Sequence, residues 1–105
     1  MEAISKAKDP NSRPGLLTEL SSDPDWRVRR AVANNANAPE EALVQLGKDK
    51  NRWVRQAVAS NSNAPIETTL LLTTDSDHNV QDAARHGLSN HPDTTPLMEE
   101  FGNVF

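Results

Sequence analysis

Cysteine is absent from the 105 residues, and with it go disulfides, thiolate metal sites, iron–sulfur ligation and a cysteine nucleophile. Aromatics are scarce: two tryptophans, two phenylalanines and no tyrosine, so a core has to be assembled from Leu, Val and Ala. The four glycines are isolated, which excludes a glycine-rich phosphate loop, and neither a G-x-S-x-G elbow nor a paired-carboxylate motif occurs. No enzyme, no catalytic residue and no cofactor is expected. No stretch approaches the roughly 18 uninterrupted apolar residues that a membrane span needs. The start, MEAISKAKDP, has no apolar segment of a secretory signal, and mean hydropathy is -0.70, so the expectation is a soluble, cytoplasmic protein.

What is present is one domain's worth of chain, enough to bury roughly two thirds of its unfolded surface as a compact body. Net charge is -4 and unevenly spread. Residues 1 to 25 carry three bases and five acids, residues 26 to 55 seven and three, and residues 56 to 105 one and seven. A basic middle is followed by an acidic half, a polarity that can steer a charged partner.

The chain repeats itself every 26 residues: DPDWRVRRAVANNANAPEEALVQLGK, then DKNRWVRQAVASNSNAPIETTLLLTT, then DSDHNVQDAARHGLSNHPDTTPLMEE. Asp23, Asp49 and Asp75 fall in register, as do Val28, Val54 and Val80, and then Ala31, Ala57 and Ala83. Asn35 pairs with Asn61 and Pro39 with Pro65, while the third copy is looser, with Gly87 at the Asn position and Pro92 one place late.

Each unit reads as two short helices. Val28, Ala31 and Val32 recur at i, i+3 and i+4, as do Val54, Ala57 and Val58, and Val80, Ala83 and Ala84, which gives a first helix one narrow apolar stripe. Asp23 followed by Pro24 is expected to cap it, and Asn35 and Asn61 to end it in a left-handed turn. A second helix is expected from Pro39, Pro65 or Pro92, with apolar Leu43 and Leu46, then Ile66, Leu70 and Leu72, then Leu97, Met98 and Phe101. Leu17 and Leu20 hold the places of Leu43 and Leu46 one unit earlier, so the array begins within a repeat. One helix pair cannot cover its own stripe, so stability must come from stacking, with caps at the ends. The expected organisation is a single domain: an N-terminal cap and half repeat over 1–22, repeats over 23–48, 49–74 and 75–100, and a C-terminal cap over 101–105. Ile4 and Ala7 would seal one end and Phe101, Val104 and Phe105 the other.

The pattern D-x-x-x-x-V-R-x-A-V-A-x-N-x-x-x-P, present as DPDWRVRRAVANNANAP and again as DKNRWVRQAVASNSNAP, resembles the leucine-rich repeat variant family and, more broadly, HEAT-like repeats. The resemblance covers roughly residues 14 to 100. It implies an all-α fold, a short right-handed α-solenoid of about three two-helix repeats, in which one helix of each unit is tight and 3₁₀-like. It also implies a protein-interaction scaffold, whereas an iron–sulfur cluster carried by one member of the family has no cysteines here to hold it. One branch of HEAT-like proteins consists of DNA glycosylases, but none of their catalytic residues maps onto this chain.

Three sets of polar residues stand out. Arg29 and Arg55, in register with each other and set against Asp23, Asp49 and Asp75, fit a ladder of charge-assisted bonds between repeats better than phosphate contacts, because the third copy has Gln81 there. Trp26, Arg27, Arg30, Lys48, Arg52 and Trp53 are off-register and form the candidate partner-binding set. With residues 28, 31 and 32 facing the core, positions 26 and 30 are expected on the far side of the helix. Exposed Trp beside Arg is the composition of binding hot spots and of stacking platforms. The alternative is that each Trp fills a groove over a neighbouring repeat. His78, Asp82 and His86, at i, i+4 and i+8, fit a surface pair better than a metal site, since consecutive turns of one straight helix rarely close around an ion. The leading expectation is a scaffold or adaptor that binds a protein, as a monomer or with weak self-association. Nucleic-acid binding through the basic middle is the alternative, favoured if Arg27, Arg30, Lys48 and Arg52 line one groove.

Overall fold

The computed structural model describes residues 2–90, and these form seven α-helices with no strand among the described residues. In chain order they are α1 (Glu2–Lys8), α2 (Pro14–Leu20), α3 (Trp26–Ala33), α4 (Glu40–Leu46), α5 (Arg52–Ala59), α6 (Ile66–Leu72) and α7 (His78–Asn90). None is 3₁₀, contrary to the tight helix that the family resemblance implies. None is long and apolar enough to cross a membrane among the described residues.

The helices pack as the register demands. First helices form one row, α1 on α3, α3 on α5 and α5 on α7, while α2 packs on α4 alongside. α1 thus occupies the place of a first helix one unit before α3, although its sequence keeps little of the repeat beyond Ala7, 26 residues ahead of Ala33. The core is the stripe read from the sequence: Val28, Ala31 and Val32, then Val54, Ala57 and Val58, then Val80 and Ala84, closed by Leu17, Leu43, Leu46 and Leu72. Small side chains on the first helices let the row stack closely, and the leucines of the second helices fill the wedge behind it.

Three local expectations are corrected. Asp23 is not the cap of α3; Asp25 is, its carboxylate accepting the Arg27 N–H, while Asp23 accepts the N–H of Asp25 at 2.9 Å. The same two-step arrangement runs through Asp49 and Asn51, and through Asp75 and Asp77. Two Asx residues spaced two apart serve each helix start, so Pro24 falls before the cap and not inside the helix. The second column, Asp25, Asn51 and Asp77, is itself in 26-residue register, which was the signal for it.

Asn35 and Asn61 do not adopt a left-handed conformation, since no described non-glycine residue has positive φ. They reach back instead into the preceding unit. Asn35 Nδ2 donates to the carbonyls of Ala7 (2.8 Å) and Asp9 (2.9 Å), and Asn61 Nδ2 to those of Ala33 (2.8 Å) and Asn35 (3.0 Å). Each Oδ1 accepts the N–H two residues on, from Asn37 and Asn63. One carboxamide therefore satisfies the frayed carbonyl end of the neighbouring helix and shapes its own turn.

Where the third copy has Gly87, nothing ends the first helix, and α7 runs 13 residues. Glycine is required there by proximity: a Cβ at Gly87 would lie 2.4 Å from the Ala59 carbonyl oxygen. On α6 the residue in register with Leu43 is Thr69, fully buried, whereas the expected core residue Leu70 is 50% exposed and Leu71 68%. Leu97, Met98, Pro92 and the expected cap of Phe101, Val104 and Phe105 lie outside the described residues.

Candidate functional site

The in-register charges are used in stacking. Arg29 grips the carboxylate of Asp49, 20 residues on, through Nε (2.7 Å) and Nη2 (3.2 Å), while Nη1 donates to the carbonyls of Asp23 and Pro24 (2.8 and 3.1 Å). Arg55 repeats this on Asp75 (2.8 and 3.1 Å) and on the Asp49 carbonyl (2.8 Å). Among the described residues, Gln81 keeps the contact to the Asp75 carbonyl alone. Position 101, one unit beyond Asp75 in the sequence, is phenylalanine, so a third arginine would find no carboxylate in register. The ladder is nearly dry: both side chains of the first rung are about one tenth exposed. Burial pushes the Asp49 carboxyl up, but the Arg29 guanidinium and the Asn51 N–H outweigh it and hold the group below the usual carboxylate range.

The off-register set is divided by the fold. Trp26 is not on the free face; it is half-buried and packs against the core. It is the first residue of α3, where a helical side chain leans toward the N-terminus. Arg27 is exposed and forks onto Asp25 (3.1 and 2.9 Å), which lowers the Asp25 pKa by hydrogen bonding. Arg52 reaches Asp77 of the next unit at 3.1 Å and lies over the Trp53 ring, 5.8 Å from its centroid. Lys48 opens into a different depression, about 790 Å³, beside Asp23, Arg29, Glu41 and Asp49. Arg30 and Arg52 line separate cavities that share Trp53, and Lys48 lines a third, so none of these three cavities is lined by all four of Arg27, Arg30, Lys48 and Arg52.

Arg30 and Trp53 do meet. They line a cavity of about 150 Å³ between α3 and α5, together with Asn34, Gln56 and Ser60. Trp53 is 41% exposed there. The three polar residues were not singled out in the sequence, although helical spacing pointed to them: Asn34 follows Arg30 by four, Gln56 follows Trp53 by three and Ser60 follows Gln56 by four. The volume is below the roughly 300–1,000 Å³ of small-molecule pockets and suits one side chain. At the other end of α5 a cavity of about 170 Å³ lies among Asn61, Thr69, His86 and Gly87.

On α7, Asp82 stands 3.7 Å from His78 and 3.8 Å from Arg85, all well exposed. Among the described residues no cluster of three His, Cys, Asp or Glu is arranged to hold a metal ion.

Compared with known families, residues 26–51 match the leucine rich repeat variant model, a segment one repeat long. No curated protein and no solved structure matches the chain.

Proposed function

We propose that this chain, with its leucine-rich-repeat-variant unit, is a short right-handed α-solenoid serving as a non-enzymatic scaffold or adaptor that binds another protein in the cytoplasm. We take residues 1–22 as an N-terminal cap and half repeat, followed by repeats over 23–48, 49–74 and 75–100 and a C-terminal cap over 101–105. The observation that carries the reading is a division of labour among polar residues. Those that obey the 26-residue register, the Arg–Asp rungs and the asparagines, are occupied between repeats, whereas off-register Arg30 and Trp53 share one exposed cavity. An aromatic beside a cation in a water-accessible recess is the composition of a contact hot spot. Scaffold surfaces of stacked repeats are extended for the same reason that their cores are repetitive: each unit contributes one strip.

The experiment is affinity capture from a lysate of the source organism by the wild type and by an Arg30→Glu, Trp53→Ser variant, each with and without nuclease. Both positions are exposed, so the variant should keep its circular dichroism and melting point. A protein recovered by the wild type alone, and insensitive to nuclease, is the expected result. Equal recovery by both proteins would place the interface elsewhere, and recovery abolished by nuclease would move the assignment to nucleic acid.

A further inference from the structure

The outer face of α3 and α5 carries hydrogen-bonding groups that the fold leaves unused. Of the five arginines on these two helices, Arg27, Arg29, Arg52 and Arg55 each pair with an aspartate, and Arg30 has no carboxylate partner among the described residues. The side chains of Asn34, Gln56 and Ser60 likewise make no hydrogen bond among the described residues. All four line the same cavity as Trp53. Elsewhere in this fold carboxamides of the same kind, Asn35 and Asn61, are fully engaged with main-chain carbonyls. Asn34 and Gln56 present the same chemistry outward.

We propose that the groove between α3 and α5 binds an extended acidic segment of a partner protein. A carboxylate of the segment sits on Arg30, its main-chain N–H and C=O groups pair with the Asn34 and Gln56 carboxamides, and an apolar side chain packs on Trp53. A primary amide offers both a donor and an acceptor, which matches the peptide group of a strand that has no neighbouring strand. Arginine supplies the directional, charge-assisted contact for a carboxylate. Charge complementarity also limits the ligand. Residues 26 to 55 are net basic, yet Asp77 and Asp82 follow on the α7 side, so a single carboxylate over Arg30 is attracted where a continuous polyanion is repelled. Neighbouring helices stand about 8–10 Å apart and an extended chain advances about 3.3 Å per residue, so the acidic and apolar residues of the segment should be about two or three positions apart.

This inference rests on the scaffold reading above. Its test is a positional-scanning library of N-acetylated octapeptide amides, read by fluorescence polarisation on the wild type, on Arg30→Glu and on Trp53→Ser, with a labelled single-stranded oligonucleotide in parallel. The wild type should select Asp or Glu over Lys or Arg by about tenfold or more at one position, with Leu or an aromatic two or three places away. Arg30→Glu should reverse the charge preference, and Trp53→Ser should erase the apolar one alone. No acidic selection, an unchanged selection in Arg30→Glu, or tighter binding of the oligonucleotide would overturn the proposal. If the library fails while lysate capture is still lost in the Arg30→Glu, Trp53→Ser variant, the scaffold reading stands and the acidic-segment ligand falls; if both fail, both fall.

Discussion

Replacing Arg29 with methionine tests whether the Arg–Asp rungs hold the repeats together. The methionine keeps an apolar stem of similar reach and removes the guanidinium, so two bonds to Asp49 and two to main-chain carbonyls disappear. The larger cost is what remains: the Asp49 carboxylate, its side chain 9% exposed, loses its counter-charge. Removing one partner of a buried pair costs about 3–5 kcal/mol. Against a total stability of about 5–15 kcal/mol that is a large fraction. At about 4–8 °C per kcal/mol for a small domain, the thermal midpoint should fall by at least about 12 °C. The control is Arg27→Met, which removes the same charge two residues away from a pair whose side chains are 58% and 34% exposed; solvent and salt screen it, and the midpoint should barely move. Combining Arg29→Met with Asp49→Asn should recover part of the loss, since the amide needs no counter-charge and still accepts the Asn51 N–H. Melting curves followed by circular dichroism at matched salt decide it. Equal midpoints for Arg29→Met and Arg27→Met, or a double variant no better than the sum of its parts, would refute the ladder as a structural element.

Asn61→Ala should cost about 2–3 kcal/mol in urea unfolding, because two carbonyls and one N–H lose partners worth about 1 kcal/mol each. Asn61→Asp should cost more, since a carboxylate cannot donate to the Ala33 and Asn35 carbonyls; a milder effect than alanine would contradict the assigned bonds. Gly87→Ala should destabilise by about 1–3 kcal/mol despite the better helix propensity of alanine, because its Cβ meets the Ala59 carbonyl oxygen, and a rise in midpoint would show that α7 does not pack so closely. Acid should unfold the protein. Asp49 and Asp77 are raised by burial but held lower overall, chiefly by hydrogen bonds from Arg29 and from the Val80 N–H, and Asp25 is lowered by its bond from Arg27. A folded pKa below the unfolded value of about 3.9 gives stability that is complete above that pH and lost as pH falls through the folded pKa, so the midpoint should be level above about pH 5 and drop below about pH 4. A midpoint that rises between pH 4 and pH 2.5 would contradict it. Leu71→Ser should leave the midpoint unchanged, as the side chain is 68% exposed, whereas Leu72→Ala should cost about 2–5 kcal/mol.

The sequence by itself determined what repeats. A 26-residue period in Val, Ala, Leu, Arg, Asp and Asn named the helices, the buried stripe and the rungs, because a stacked array puts every equivalent residue in an equivalent place. It also placed Gln81 where the earlier copies have Arg29 and Arg55. What it could not assign was a partner that depends on the next unit's position. Asn35 was legible as a helix end but not as a donor to Ala7 and Asp9, because a contact 26 to 28 residues away is made only once the units stack. Trp26 and Trp53, alike in composition, were separated by tertiary structure alone: one leans from the first turn of α3 onto the core, and the other stands over the gap between α3 and α5. The same stacking paired Arg52 with Asp77, turned Lys48 toward another depression and left Arg30 facing Trp53. Those outcomes follow from the offset and tilt of neighbouring helices, which no local spacing encodes.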